Sequence, residues 1–412
     1  MDQSTRAGDA EIGARARKIR HRRGLSLDVV AGQVGITKGY LSMLETGRRS
    51  FTRRGLVEDL ADVLGCSPGD LTGTPALSPD RRTLRAASAI PGLTEALHDT
   101  TLDDVPDDVP ARPVVQLAEL AAAALAESDQ MRFDTVSGPV LGELVTELHI
   151  VAATGTPAER DAALAGLVEV SFVGMHLAAS LGDHVLALLA IGRGWDAARR
   201  AGRPDLLGLM SMSRGIELNR VGARRRAVSV VDGALSELAD EPGPTLDDTR
   251  VTQARGMLHL TAAHLAARAG RVADADTHLD EAAGLARFTG ERNHLRYHFG
   301  PANVGAWRLA VAVETDRGPE EAERFASAGV DLGVFDSAAR ISSVHFDLAR
   351  AYAQAGGARD GEALRHIDRA DRIAPLRTRQ DPLTRELVAD LDRRARRRVW
   401  ELDSLRRRVG IA

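Results

Sequence analysis

The chain has 412 residues, of which 44% are hydrophobic, 27% charged and only 3% aromatic. This composition indicates a globular protein of about two to four domains, and its wealth of alanine, leucine and arginine favours helix over strand. The net charge is −4, which argues against a chain that binds polyanions along its whole length. Residues 1–75 nevertheless carry +3 and the remainder −7, so we expect only the N-terminal segment to meet nucleic acid.

Cysteine usage and hydropathy indicate a protein of the reducing cytoplasm. The single cysteine, Cys66, excludes an intrachain disulfide and a cysteine-based zinc site. Residues 1–23 are polar and lack the apolar core of a signal peptide, and no apolar run has the length of a membrane span. We therefore expect a cytoplasmic, nucleoid-associated protein with no membrane partner.

The N-terminal segment has the sequence pattern of five short helices. Ser26 and Thr37 are placed to cap the second and third helices, and Gly35 supplies the tight turn between them. The fifth helix opens at Ser67 and Pro68. The predicted helices lie at residues 12–22, 27–33, 38–45, 53–64 and 68–71.

The third of these helices has one apolar and one open face. Leu41 and Leu44, with Ile36 before the helix, are spaced to bury its inner side. Its outer side is free to enter a DNA major groove and consists of Lys38, Gly39, Ser42 and Met43. A five-helix module that binds protein instead of DNA is the alternative reading of this segment.

Residues 12–72 resemble the Xre family, the lambda-repressor-like helix-turn-helix domains. The resemblance rests on Ile-Gly-Ala-Arg-Ala-Arg-Lys-Ile-Arg from residue 12, Tyr-Leu-Ser-x-Leu-Glu-x-Gly-Arg from residue 40 and Leu-Ala-Asp-Val-Leu-Gly-Cys-Ser-Pro-Gly-Asp-Leu from residue 60. It implies that Lys38, Gly39 and Met43 face the bases. The residues it places nearer the phosphates or among further DNA contacts are Thr37, Tyr40, Ser42, Arg48, Arg49, Arg17 and Arg20.

Two positions depart from the family pattern. Asp28 stands where many relatives have a glutamine that anchors to phosphate and base, and Gly39 removes one side chain from the reading face. We therefore expect few direct contacts to bases, with contacts to the DNA backbone and DNA shape contributing more to recognition.

The remainder of the chain divides into a linker and a long helical domain. Recurrent prolines mark residues 76–112 as a linker and irregular helical region, within which 103–110 is acidic and proline-rich. From residue 113 to 412 the pattern is helix after helix, punctuated by glycines. We take 1–75, 76–112 and 113–412 as the three segments.

A repeat recurs in the helical domain. A small residue is followed by a turn glycine and then by an anchor alanine in a second helix, which lets two antiparallel helices touch. The anchors are separated by 40 to 48 residues and lie at positions 187, 227, 275, 322 and 363. The pattern resembles tetratricopeptide repeats, most clearly at Leu348-Ala-Arg-Ala-Tyr352, although their usual unit is about 34 residues. A generic α-solenoid is the alternative.

If the repeat template holds, its concave face forms a mostly apolar groove suited to a ligand or peptide. For Asn303 and Trp307 the alternatives are a helix cap and a plain core residue. The candidate groove residues are His176, Met212, Asn219, His264, Asn303, Trp307, Phe346 and Arg350.

An Xre head on a tetratricopeptide-like body resembles two kinds of regulator: the peptide-responsive group of Gram-positive bacteria and a broad actinobacterial set. The arginine-rich, lysine-poor composition favours the second. The resemblance implies a homodimer on a palindromic double-stranded operator and a small-molecule or peptide effector. The alternative is a scaffold whose repeats bind a partner protein, while the N-terminal helix-turn-helix domain only localises the scaffold to DNA.

The sequence contains no convincing catalytic, metal or cofactor site. Residues 65–69 match Gly-x-Ser-x-Gly but follow a predicted helix, whereas a nucleophile elbow needs a preceding strand. His294 and His298 lie four apart on a potential helix face, which more often lines a surface or groove than holds a metal. The arginines of 393–398 and 406–408 indicate either a salt-bridged solvated helix or a second nucleic-acid contact or dimer surface. We expect no enzyme activity.

Overall fold

The computed structural model describes residues 12–73, 80–134, 136–241, 248–294, 296–397 and 399–411. Across these ranges the chain is helical, and its only β pairing is two isolated bridges. The all-α class predicted from the sequence is therefore confirmed, with an N-terminal helix-turn-helix unit, here the head, followed by a helical domain, here the body. The polar stretch 1–11 lies outside the described residues.

The head consists of five short helices, close to the predicted positions. The hydroxyls of Ser26 and Thr37 accept hydrogen bonds from the backbone amides of Val29 and Tyr40, both at 3.2 Å. Gly35 has a φ of 76°, a left-handed conformation that only glycine adopts readily. The helices are α1 (Ile12–Arg22), α2 (Leu27–Val34), α3 (Lys38–Glu45), α4 (Arg54–Leu64) and α5 (Pro68–Thr72).

The body is a succession of helices joined by turns and by longer loops such as residues 100–113, with one 3₁₀ turn at Leu332–Phe335. They are α6 (Arg81–Ser88), α7 (Ile90–Asp99), α8 (Val114–Asp129), α9 (Val140–Thr154), α10 (Pro157–Ser180), α11 (His184–Arg200), α12 (Pro204–Arg220), α13 (Arg224–Ala239), α14 (Arg250–Arg268), α15 (Val272–Thr289), α16 (Pro301–Glu314), α17 (Gly318–Ser327), α18 (Ala338–Gln354), α19 (Asp360–Ile373), α20 (Pro375–Gln380), α21 (Pro382–Arg394) and α22 (Trp400–Arg408).

Consecutive body helices pack as pairs, and small residues stand where each pair touches. The five anchor alanines of the repeat pattern are fully buried. The turn glycines Gly182, Gly222 and Gly270 have φ values of 84°, 86° and 72°, so they reverse the chain between the two helices of a pair. By length and composition alone, helix α10 could cross a membrane. However, 72% of its most apolar 18-residue stretch is buried inside the protein.

The segment expected to be a linker contributes to the body core. Helices α6 and α7 lie within residues 76–112, and Ala86, Leu93 and Leu97 on them are buried in the same cluster as α9 and α10. At Gly142 on α9, an added Cβ would stand 2.3 Å from the carbonyl oxygen of Gly92, so the two backbones touch. The acidic stretch 103–110 remains irregular.

The head is packed against the body through the start of α4. Leu383 of α21 is buried in the same cluster as the apolar core of the head. A Cβ added to Gly55 would lie 2.4 Å from the carbonyl oxygen of Arg268, so glycine is required for this approach. The backbone amide of Ile12 donates a 2.9 Å hydrogen bond to Glu386. Head and body therefore share a continuous interface.

Candidate nucleic-acid interface and cavity

The recognition helix α3 presents its polar face to solvent while the head is docked. Leu41 and Leu44 are buried in the head core, as their spacing predicts. Lys38 and Gly39 are exposed, and a Cβ added to Gly39 would meet no atom within 4 Å. Of the other candidate contacts, Thr37, Arg48, Arg49 and Arg17 are exposed, whereas Tyr40, Ser42 and Met43 are half-buried. The polar face of α3 is therefore open to solvent while the head is docked on the body.

Residues 11–72 match a family model described as a helix-turn-helix domain. The match covers all five helices of the head and supports a DNA-binding regulator. The chain has no match among curated proteins or among solved structures.

Arg20 does not belong to the DNA-facing surface, which corrects the sequence prediction. Its side chain is 6% exposed and forms a two-pronged ion pair with Glu45, at 2.6 and 2.8 Å. Its remaining Nη1 donates to the carbonyl oxygen of Leu25 at 2.9 Å. The hydrogen bond with Glu45 raises the pKa of Arg20. Because Arg20 lies on α1 and Glu45 ends α3, the pair positions the recognition helix.

We expect Arg20→Ala to lower the free energy of unfolding by about 3–5 kcal/mol, because Glu45 would keep a buried charge without its partner. Arg17→Ala, an exposed arginine on the same helix, serves as the control and should change stability by less than about 0.5 kcal/mol. Urea denaturation of both variants measures the difference. Equal stability of the two variants would show that the Arg20–Glu45 pair contributes nothing.

Asp28 pairs with Lys38, which the sequence predicts to face the bases. The ammonium of Lys38 donates to the Asp28 carboxylate at 2.7 Å, with the two side chains 60% and 65% exposed. An exposed pair of this kind contributes only about 0.2–1 kcal/mol, so Lys38 can leave it at small cost. The carboxylate of Asp28 thus holds Lys38 next to the exposed face of α3.

The head–body interface contains a buried cluster of charges around Glu58. Glu58 of α4 contacts the guanidinium of Arg268, and Arg224 of the body bonds Asp59 at 2.6 Å. Asn219, predicted as a groove residue, belongs to this cluster: with its amide turned so that the oxygen faces Arg268, that oxygen accepts from the guanidinium at 2.8 Å. The prediction for Asn219 was therefore wrong, because the head covers this end of the concave face.

A second interface cluster surrounds Glu314. Its carboxylate accepts from Arg350 at 2.5 Å and from the backbone amide of Gly55 at 3.2 Å. Arg350 also donates to the carbonyl oxygen of Thr52 at 2.9 Å. Burial alone would raise the pKa of Glu314, but Arg350 and Arg268 together hold it at about 2. These contacts attach the loop before α4 and its first turn to the body.

Next to this interface lies a partly open cavity of about 260 Å³, lined mainly by the body and here called the central cavity. Its walls bring together seven of the eight predicted groove residues: His176, Met212, His264, Asn303, Trp307, Phe346 and Arg350.

Phe299 and Trp307, two aromatic residues close in sequence, lie in different surroundings. Phe299 is fully buried, whereas Trp307 lines the cavity in an edge-to-face contact with His264, with ring centroids 5.6 Å apart. Asn303 is not the helix cap, since Gly300 takes that position. Its amide nitrogen donates to the carbonyl oxygen of Tyr297 at 2.9 Å. Burial lowers the pKa values of His176 and His264 to about 4, so both rings are neutral at pH 7.

Several cavity residues were missed from the sequence, and the most consequential are arginines. Arg54 reaches into the cavity from the head and contacts Asp381 of the body. Arg340 and Arg377 come from α18 and α20. The repeat template assigns no inward position to these three, and no periodic signal marks them.

The other candidate clusters have structural roles. His294 and His298 lie in an irregular loop instead of on one helix face, and no group of three or more His, Cys, Asp or Glu side chains among the described residues could hold a metal ion. Ser67 caps α5 through a reciprocal pair of hydrogen bonds with Asp70. Arginines of the C-terminal run pair with carboxylates, as in Arg406 with Asp392 at 3.1 Å. This pairing favours the salt-bridged reading of the run.

Proposed function

We propose that the chain is a sequence-specific DNA-binding transcriptional regulator of the Xre type, without enzymatic activity, that acts in the cytoplasm at the nucleoid. The observation that carries this proposal is the open polar face of α3, which lies on a helix-turn-helix domain and bears Lys38 at its start. The N-terminal part of such a helix contacts base edges when the helix lies in the major groove. A homodimer would place two such helices on a palindromic operator.

We expect Lys38→Ala to weaken specific operator binding by about 10- to 100-fold, because a good base contact is worth about 1–3 kcal/mol. Non-specific binding should fall much less. Lys18→Ala is the matched control, since it removes the same charge from α1 and should affect both kinds of binding equally. Fluorescence anisotropy on operator and scrambled duplexes at one salt concentration measures both. If Lys38→Ala weakened specific and non-specific binding by the same factor, Lys38 would contact only phosphates.

The body would act as an effector-sensing array of tetratricopeptide-like repeats. Support for repeats comes from two pairs of histidines at matching positions. His259 and His278 on α14 and α15, and His345 and His366 on α18 and α19, each have Nδ1 atoms 3.0 Å apart. Support for sensing comes from the central cavity, whose volume of about 260 Å³ is slightly below the range of about 300–1,000 Å³ that is typical of small-molecule sites. This size favours a small molecule over a peptide.

Arg54 would couple the cavity to the head. It begins the head helix α4, lines the central cavity and pairs with Asp381 of the body. A ligand in the cavity changes DNA affinity only if it binds one arrangement of the head more tightly than another. The scaffold alternative requires an accessible groove for a partner protein, and the head covers part of this one.

A further inference from the structure

The central cavity carries more positive than negative side chains. Its arginines are 54, 220, 296, 340, 350 and 377, and its carboxylates are Asp129, Glu217, Asp347 and Asp381. Four of the arginines have a carboxylate within 4 Å. Among the described residues, the guanidinium groups of Arg340 and Arg377 have neither a hydrogen bond nor a carboxylate within 4 Å. The protein thus places two half-buried guanidinium groups in the cavity wall that it does not itself neutralise at close range.

Arg340 is held in position by aromatic rings and not by a hydrogen bond. Its guanidinium carbon lies 5.5 Å from the centre of the Trp307 ring and 5.8 Å from that of Phe335. Its Nε and Nη2 atoms are buried, and no acceptor in the described part of the chain is within bonding distance. Donors in this state cost free energy until an acceptor reaches them. Stacking on the two rings restricts the movement of this planar group.

Arg377 adds a second guanidinium group without an ion pair to the same cavity wall. The pKa of Arg340 is lowered to about 10, chiefly by burial, with Asp347 opposing the shift and Arg377 adding to it. Burial likewise lowers the pKa of Arg377 to about 10, with Arg220 as the next cause. Two like charges in a shielded cavity destabilise the empty protein. An anion between them would offset both their mutual repulsion and their lost hydration.

The rest of the wall suits an apolar ligand body. Phe172, Met175, Met212 and Phe346 face the same cavity, together with the edge of Trp307. The neutral rings of His176 and His264 add no charge to this part of the wall. Sites for small organic ligands commonly combine an apolar wall with a few fixed polar groups that orient the ligand.

We propose that the central cavity binds a small anionic amphiphile, with its carboxylate or phosphate group between Arg340 and Arg377 and its apolar body against Phe172, Trp307 and Phe346. The proposal rests on the effector-sensing role proposed above, and it specifies the chemistry of that effector. Arginine matches both anions because its planar group donates paired hydrogen bonds to two oxygens.

The position of the anion suggests how it affects the head. Arg220 and Arg377 also border a crevice of about 140 Å³ between head and body, whose walls include Arg54, Asp381 and Glu58. An anion bound at Arg377 would accept hydrogen bonds from Arg54. It would also repel the carboxylate of Asp381. Occupancy therefore weakens the Arg54–Asp381 pair that contributes to docking the head.

Calorimetric titration of the full-length protein with decanoate, decyl phosphate and decanol tests the ligand class. We expect at least one of the two anions to bind and decanol, which has the same chain without the charge, to bind at least tenfold more weakly. Decanoate against decyl phosphate distinguishes a carboxylate from a phosphate ligand. Arg340→Leu/Arg377→Leu should weaken the anion about 10- to 100-fold. Arg225→Ala, an exposed arginine on α13, should leave the affinity unchanged.

Stability and DNA binding separate the outcomes of this test. Because the double variant removes unsatisfied charges, it should remain folded and at least as stable as the wild type; Arg340→Gln is the smaller change if it does not. Decanol binding as tightly as decanoate, or an anion affinity unchanged in the variants, would overturn the proposal. Operator binding without anion binding would overturn it while leaving the regulator in place. If the anion bound through both arginines but did not change operator affinity, the proposed ligand class would stand. The proposed effector role would then be wrong.

Discussion

Arg350→Ala should lower the free energy of unfolding by about 3–5 kcal/mol, the cost of leaving a buried carboxylate without its partner. The side chains of Arg350 and Glu314 are 3% and 0% exposed, so water cannot replace the lost interaction. The same arginine bonds Asp347 at 3.1 Å and the backbone of Thr52 in the head. Its loss therefore also weakens the attachment of the head to the body.

Two measurements check this expectation. Urea denaturation gives the change in stability, with Arg225→Ala as a surface control that should change it by less than about 0.5 kcal/mol. Hydrogen exchange of residues 52–58 reports on docking, since the amide of Gly55 donates to Glu314 in the native protein. If Arg350→Ala matched the control in stability and left exchange of 52–58 unchanged, the described head–body interface would be wrong.

Mild acid should destabilise the protein between pH 7 and pH 5, by up to about 2 kcal/mol for each buried histidine whose pKa is lowered to about 4. Burial lowers the pKa values of His176, His264, His259 and His345 to about 4, whereas an unfolded histidine titrates near 6.5. Between these values the unfolded state binds more protons, so stability present above pH 6.5 is lost as the pH falls towards 4. Asp129 opposes part of this loss, because burial raises its pKa to about 6.

The slope of stability against pH is the observable, measured by urea denaturation at half-unit steps from pH 7.5 to 5. His264→Phe keeps an aromatic ring against Trp307 and removes one titrating group, so its slope should be shallower than that of the wild type. A wild-type stability that stays constant or rises on acidification would contradict the burial of these neutral rings.

The head could be predicted almost residue by residue because its signals are local. Caps at Ser26 and Thr37 and the turn at Gly35 depend on a few neighbouring residues, and all three adopt the expected geometry. The anchor alanines of the body were recognisable for a similar reason. Close helix contacts need small residues at fixed spacing, whatever lies beyond the pair.

Predictions failed where the identity of a neighbour mattered. The pattern around Arg20 and Asn219 predicts polar positions but not that a distant Glu45 or Arg268 fills the space next to them. Periodicity tells which side of a helix is apolar and carries no information about what covers the polar side. Arg340 and Arg377 escaped for the same reason, because they reach the cavity only through the packing of α18 and α20.

Sequencing the genomic DNA fragments that the purified full-length protein retains tests the proposed regulator most directly. Two recognition helices in successive major grooves predict a palindromic motif with half-sites about one helical turn, roughly 34 Å, apart. The same selection with Lys38→Ala should lose the motif while retaining weak recovery of bulk DNA. Recovery without any enriched motif, or the same motif with both proteins, would contradict base recognition by α3.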